Sequence, residues 1–201
     1  MMPRALRLAP VLALAAVLAA CGSTPRTEYF LLSAEAPPAA ARAEPSIGIA
    51  ELKVAEYLQR PEMVTMESAN RLSLRDYHRW AEPLADGVQR TVALNLGALL
   101  ETDAVRVRPW PREWSPQWLL RLNIARLDVR GDTVELVATW SLARDSETRE
   151  RSSRLVRARS GTSADSVAAD ISAVLLELSG QIAAEVRAAS AGADDAPAQT
   201  Q

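Results

Sequence analysis

The side chains that most often carry catalysis or bind metals are scarce in this sequence. It has one cysteine, Cys21, and one histidine, His78. These counts exclude an internal disulfide and a zinc site built from several Cys and His ligands. His78 lies two residues after Asp76, so on a strand the two share a face, as a Ser–His–Asp hydrolase would require. The sequence has no G-x-S-x-G, H-E-x-x-H or glycine-rich phosphate motif, so we expect no enzyme activity, no metal and no cofactor.

Cys21 lies where a lipid-modified cysteine is expected. The apolar run over 8–20 follows two arginines and is shorter than the ~20 residues that span a membrane. It ends in Leu18-Ala19-Ala20-Cys21, which resembles a bacterial lipobox, whose thiol receives a diacylglyceryl group. We therefore predict a signal peptide over 1–20 and a lipidated Cys21 with a short tether over 21–28. A chance cysteine behind an ordinary signal peptide is the alternative.

The lipid anchor has consequences for location. Two or three acyl chains, palmitate among them, hold a protein stably at a membrane, whereas one chain does not. Gly22 follows the cysteine where an aspartate would indicate retention in the inner membrane. We expect the periplasmic face of the outer membrane. The net charge of −2 gives no basic field, so we expect no nucleic-acid partner.

Hydrophobic periodicity predicts one α+β domain over 29–187. Alternation predicts strands at 29–32, 47–54, 63–68, 71–77, 105–107, 120–124, 134–142 and 152–160. A helix should begin at Glu82-Pro83, and a second should follow a capping box at Thr162 and Asp165. Each helix is apolar along one side, so we expect two amphipathic helices on one face of a mostly antiparallel or mixed sheet. The segment 188–201 has no periodicity and is predicted to be a disordered tail.

Two surface features of the predicted domain have open interpretations. Trp110, Trp114 and Trp118 recur every four residues among prolines, which favours a loop whose indoles pack at the edge of the core. Contact with a partner or a membrane interface is the alternative. Arginines are frequent from 144 to 159, which fits a solvated strand or contact with phospholipid headgroups or an acidic partner. These arginines are Arg144, Arg149, Arg151, Arg154, Arg157 and Arg159.

Two strings of residues resemble a known family. They are Tyr57-Leu-Gln-Arg-Pro-Glu-Met-Val-Thr65 and His78-Arg-Trp-Ala-Glu-Pro-Leu84, the latter opening a helix. With the lipobox and the Gly131-Asp132 hairpin, they resemble the ABC-type transport auxiliary lipoproteins, subunits of transporters associated with membrane integrity. The sequence departs from the family at Gln59, where an aspartate is expected before Arg-Pro.

The resemblance implies a non-enzymatic outer-membrane lipoprotein. It would dock the periplasmic tunnel of a mammalian-cell-entry (MCE) domain protein to the outer membrane in a phospholipid transport system, and a ring-shaped homo-oligomer would fit that role. The resemblance places a partner-binding surface at Tyr57, Leu58, Arg60, Pro61 and Trp80. For Trp80, with Glu82 and Pro83, a purely structural role at a strand-to-helix corner is an equal alternative.

Other classes of function remain open. A lipoprotein plug or assembly factor for an outer-membrane barrel, as in lipopolysaccharide export, would share the lipobox and the layout and copurify with a barrel. A hydrolase would lose activity when His78 is replaced. A lipid-binding module would carry phospholipid in its soluble fragment.

Overall fold

The computed structural model describes residues 25–36 and 42–194. These residues form one mixed sheet of eight strands with two helices, so the predicted α+β class is confirmed. The predicted signal peptide and Cys21 lie outside the described residues. The strands are β1 Glu28–Phe30, β2 Ile47–Val54, β3 Glu62–Ser68, β4 Arg71–Trp80, β5 Val105–Val107, β6 Trp118–Arg130, β7 Thr133–Arg144 and β8 Glu147–Ala158. The helices are α1 Leu84–Leu100 and α2 Ala164–Asp194, and a 3-10 turn spans Glu56–Leu58.

Strand β6 organises the sheet because it has neighbours along both edges. One edge pairs antiparallel with β7, which in turn pairs with β8. The other edge pairs parallel with β2 over 118–124 and with β3 only at Arg130. Strand β5 lies beyond β2, whereas β4 and β1 lie beyond β3. Along this edge of β6 the sheet therefore splits into two branches, one formed by β2 and β5 and the other by β3, β4 and β1. The 3-10 turn lies in the gap between them.

Alternation along the long strands separates a core face from an open face. In β6, Leu120, Leu122 and Ile124 are buried, whereas Arg121 and Asn123 are exposed. The register shifts at a bulge between Ile124 and Arg126, where the apolar alternation of the sequence also changes phase.

Both helices cover the core face. In α1 the predicted stripe is buried, and the helix ends at Glu101 in the left-handed conformation. Every apolar residue predicted for the inner side of α2 is buried as well: Val167, Ile171, Val174, Leu175, Leu178, Ile182 and Val186. By length and hydropathy, α2 is apolar enough to cross a membrane over Ala164–Ala191. However, 61% of that window is buried in the domain, as in a core helix.

Two predicted details of α2 differ from the structure. Its N-terminal cap is Ser163, whose Oγ accepts the Ser166 backbone N–H at 3.1 Å, so the predicted capping box one residue earlier is wrong. The helix continues to Asp194, so 188–194 is helical rather than part of a tail. Alanine-rich sequence carries high helix propensity, and this propensity extends the helix where the apolar stripe ends.

Candidate functional site

The two strings that suggested a partner-binding surface meet at one pocket. Its volume is about 420 Å³. One wall is Gln59–Pro61, which joins the 3-10 turn to β3, and the other is Trp80–Ala85, which joins β4 to α1. The Trp80 N–H donates to the Pro61 carbonyl at 2.7 Å, so a backbone hydrogen bond holds the two walls together. Residues more than twenty positions apart thus form one concave surface.

The corner between β4 and α1 is fixed by Glu82 and Arg90. The Arg90 guanidinium donates to the Glu82 carboxylate, with Nε 3.2 Å from Oε1, and to the Leu32 carbonyl at 2.9 Å. Gly87 lies beneath this pair, and a Cβ there would be 3.1 Å from Glu82 Oε1. Glu82 therefore orients the first turn of α1 and the segment that follows β1. This is a structural role that does not require a partner.

The five predicted partner-binding residues fall into two groups. Arg60 and Pro61 are exposed at the rim of the pocket. Trp80 lines the pocket but is only 7% exposed, and Leu58 is 4% exposed in the core. Tyr57 is half-buried beside β6 and does not line the pocket. Sequence reasoning did not assign Gln59, Ala81, Leu84 or Ala85 to this surface. Ala81, Leu84 and Ala85 are small or apolar and carry no chemical signal, and Gln59 stood out only as a departure from the family.

Tyr57 lies in the gap between the two branches of the sheet, where its hydroxyl contacts β6. Its hydroxyl donates to Asp128 Oδ1 at 2.6 Å and accepts the Leu127 backbone N–H at 3.3 Å. The Tyr57 hydroxyl thus accepts the backbone N–H of Leu127 at a position where neither β2 nor β3 pairs with β6. Arg126 and Arg130 each approach the Asp128 carboxylate within 3.7 Å. Burial and the hydrogen bond to Asp128 raise the pKa of Tyr57 from 10.0 to about 12.

Tyr57→Phe should destabilise the fold by ~1–3 kcal/mol, since it leaves a buried carboxylate and a strand N–H without their shared partner. The sign of the pH dependence follows from the raised pKa. The stabilisation by Tyr57 is complete below its unfolded-state pKa near 10 and is lost as the pH rises toward about 12. Urea unfolding at neutral and alkaline pH measures both effects. A Tyr57→Phe protein as stable as the wild type, with the same alkaline loss, would contradict this role.

His78 lies beside Glu28 rather than beside Asp76. His78 Nε2 is 3.5 Å from Glu28 Oε2, and its ring centroid is 5.9 Å from that of Phe30. Within the described residues, Asp76 is exposed and makes no ion pair with the imidazole. Among the described residues, no group of three or more His, Cys, Asp or Glu side chains has a geometry that could hold a metal ion.

The predicted tryptophan loop packs on the end of the sheet. Trp110 and Trp114 meet edge to face, with ring centroids 5.4 Å apart, and Arg108 and Arg106 lie over their respective rings. Trp118 is buried at the start of β6. The arginines of β8 bind acidic side chains: Arg149 and Arg151 contact Glu185, and Arg154 contacts Glu135. These contacts agree with packed indoles and with a strand three of whose arginines pair with acidic side chains of the domain.

Comparisons with known proteins give a consistent result. A family model described as ABC-type transport auxiliary lipoprotein component matches residues 29–183. The crystal structure of an uncharacterized protein has a TM-score of 0.67 at 19% identity, and the match covers 81% of this chain and 99% of that one. A Xanthomonas campestris protein of the DUF330 family has a TM-score of 0.61 at 14% identity, with 87% and 100% covered. At these identities the two structures show the fold alone. No curated protein sequence matches this chain.

Proposed function

Because this chain belongs to the ABC-type transport auxiliary lipoprotein family, we propose that it docks the tunnel of a periplasmic MCE-domain protein to the outer membrane. It acts there as a non-enzymatic subunit of a phospholipid transport system. A signal peptide directs its export, and acyl chains on Cys21 anchor it to the periplasmic face of that membrane. The family assignment accounts for a transport lipoprotein, and the docking role rests on the pocket.

The pocket supports docking because its chemistry suits an apolar side chain of a partner. Its walls combine the Trp80 indole with the rings of Pro61 and Pro83, and Arg60 lies at the rim. Partner-binding energy concentrates where an apolar anchor fills such a pocket and a charged rim fixes its orientation. We propose that a segment of the MCE-domain protein inserts an aliphatic or aromatic side chain here. Arg60 contacts an acidic or backbone acceptor beside it.

The short tether supports a location at the membrane surface. Pro25, the first described residue, is four positions after Cys21, so its Cα lies at most ~14 Å from that of the lipidated cysteine. Tyr29 and Leu31, in and just after β1, are 65% and 56% exposed. Exposed tyrosine and aliphatic side chains suit an interface that is wet on one side and apolar on the other. The anchor also raises the effective concentration of the domain for a partner that spans the periplasm.

Site-specific photo-crosslinking in intact cells tests the docking role. A photo-reactive amino acid at Arg60 should crosslink to an MCE-domain protein, whereas the same label at Asn70 should not. Asn70 is also exposed, in the turn between β3 and β4, and it does not line the pocket. The docking proposal is wrong if the lipidated protein is labelled at Arg60, reaches the membrane and captures no transport component.

A further inference from the structure

The open face of the sheet holds a second concavity, which the docking role does not use. Its volume is about 730 Å³, and it lies across four strands, β2, β6, β7 and β8. We call this surface the polar basin. Its floor consists of two neighbouring rows of side chains, as the strand register defines them. One row is Glu51, Arg121, Ser141 and Glu150, and the other is Lys53, Asn123, Thr139 and Ser152.

Most of the floor has hydrogen-bonding capacity that the described part of the chain leaves unused. The side chains of Arg121, Asn123, Thr139, Ser141, Glu150 and Ser152 have no hydrogen bond or salt bridge to other described residues. Two polar clusters elsewhere on the same face are paired within the domain. Glu135 binds both Arg126 and Arg154, and Asp128 accepts from Tyr57. The basin therefore differs from its surroundings in presenting unpaired donors and acceptors together.

Both ends of the basin are closed. At one end Trp110 and Pro116 pack on Gly48 of β2, where a Cβ would lie 2.9 Å from Trp110 Cη2 and 2.7 Å from Pro116 Cγ. A glycine is required there for the tryptophan loop to lie against the sheet. At the other end, the cluster of Arg126, Glu135 and Arg154 stands beside the second row. The surface is thus a bounded site rather than a plain solvated sheet.

Charge is distributed unevenly across the basin. Lys53 Nζ is 2.7 Å from Glu51 Oε1, and Arg121 pairs with Glu51 in the register. The hydrogen bond and the charge of Lys53, with a smaller contribution from Arg121, lower the pKa of Glu51, so its carboxylate stays ionised. This side carries two cations and one anion. Glu150 lies two strands beyond Arg121, about 10 Å away at ~4.8 Å per strand, and is the only charge on its side of the row.

We propose that the polar basin binds the zwitterionic headgroup of phosphatidylethanolamine, with the phosphate on Arg121 and Lys53 and the ammonium on Glu150. This inference rests on the proposed role in phospholipid transport and names the lipid. A purely anionic headgroup would be repelled by Glu51 and Glu150. A choline headgroup has no N–H to donate to Glu150, Ser141 or Ser152. The side chains of both rows are polar or charged, so we place the acyl chains outside the basin.

Native mass spectrometry of the detergent-extracted, full-length lipidated protein tests the basin. The protein is offered equal amounts of phosphatidylethanolamine, phosphatidylcholine and phosphatidylglycerol. We expect phosphatidylethanolamine adducts to dominate. Arg121→Gln should reduce them about tenfold or more, because a charge-assisted contact to phosphate is lost. Glu150→Gln should bring phosphatidylethanolamine and phosphatidylcholine to similar levels. Arg71→Gln, which changes an exposed arginine of β4 outside the basin, should behave like the wild type.

Three results would overturn the assignment. One is equal binding of the three lipids by the wild type, and another is unchanged binding by Arg121→Gln. The third is an Arg121→Gln protein that forms lipid adducts as the wild type does but has a lower oligomeric state. That result would mean that the basin is a contact between copies of the chain. The Arg60 crosslink separates this inference from the docking role. If the crosslink forms without selective lipid binding, only the basin proposal fails, and selective binding without the crosslink removes only docking.

Discussion

Ala85→Phe should abolish docking while the domain remains folded. Ala85 lies in the first turn of α1 and lines the pocket, so a phenyl ring there occupies the space that a partner side chain needs. The residue is only half-buried, and a phenylalanine in a helix costs less than ~1 kcal/mol in propensity relative to alanine. Loss of an apolar anchor costs a partner ~2 kcal/mol or more, about a 30-fold weakening. The yield of the Arg60 crosslink measures the effect.

The matched control for this variant is Ala184→Phe. Ala184 is an exposed alanine on α2, so the same change adds a ring to the surface away from the pocket. We expect Ala184→Phe to retain the crosslink and both variants to unfold near the wild-type temperature. Full crosslinking by Ala85→Phe would mean that the pocket is empty in the complex, and the docking surface would have to be sought elsewhere.

Trp80→Ala should have the largest effect on stability, a loss of ~3–5 kcal/mol in the free energy of unfolding. The indole is 7% exposed and belongs to the hydrophobic core cluster. Phe30 pairs with Trp80 in the register between β1 and β4, so a cavity here loosens the edge strand nearest the lipid tether. Urea unfolding of the wild type and the variant provides the measurement.

Trp114→Ala is the matched control for the loss of an indole. Trp114 is half-buried in the loop before β6, so its removal exposes less core and should cost clearly less than the removal of Trp80. If Trp80→Ala unfolds like the wild type and still loses the Arg60 crosslink, the indole contacts the partner directly. In that case the structural role assigned to Trp80 at the corner between β4 and α1 would be wrong. Ala85→Phe, which keeps the indole in place, distinguishes the two roles independently of stability.

The secondary structure was largely predictable because periodic burial is a local property. The alternation of Leu120, Leu122 and Ile124 fixes which face of β6 is buried, and the helical spacing from Leu84 to Leu100 does the same for α1. The adjacent strands predicted at 63–68 and 71–77 pair as a hairpin, and the predicted Gly131-Asp132 hairpin is present as well. Residue type and spacing suffice for such elements, since neighbours along the chain determine them.

The site was predictable only in part, since it depends on contacts between distant segments. The strings at 57–65 and 78–84 could be singled out, but nothing in them indicates that the Pro61 carbonyl accepts the Trp80 N–H. Likewise, Tyr57 and Asp128 are 71 positions apart, and their hydrogen bond depends on where the sheet divides. The polar basin requires the register of four strands, which alternation alone does not provide.

The most direct test of the docking role is affinity purification of the lipidated protein from crosslinked cells, with mass spectrometry of what copurifies. We expect an MCE-domain protein, captured by the wild type and lost in Ala85→Phe. A β-barrel outer-membrane protein captured without any MCE-domain protein would contradict it. That result would favour a plug or assembly factor for the barrel.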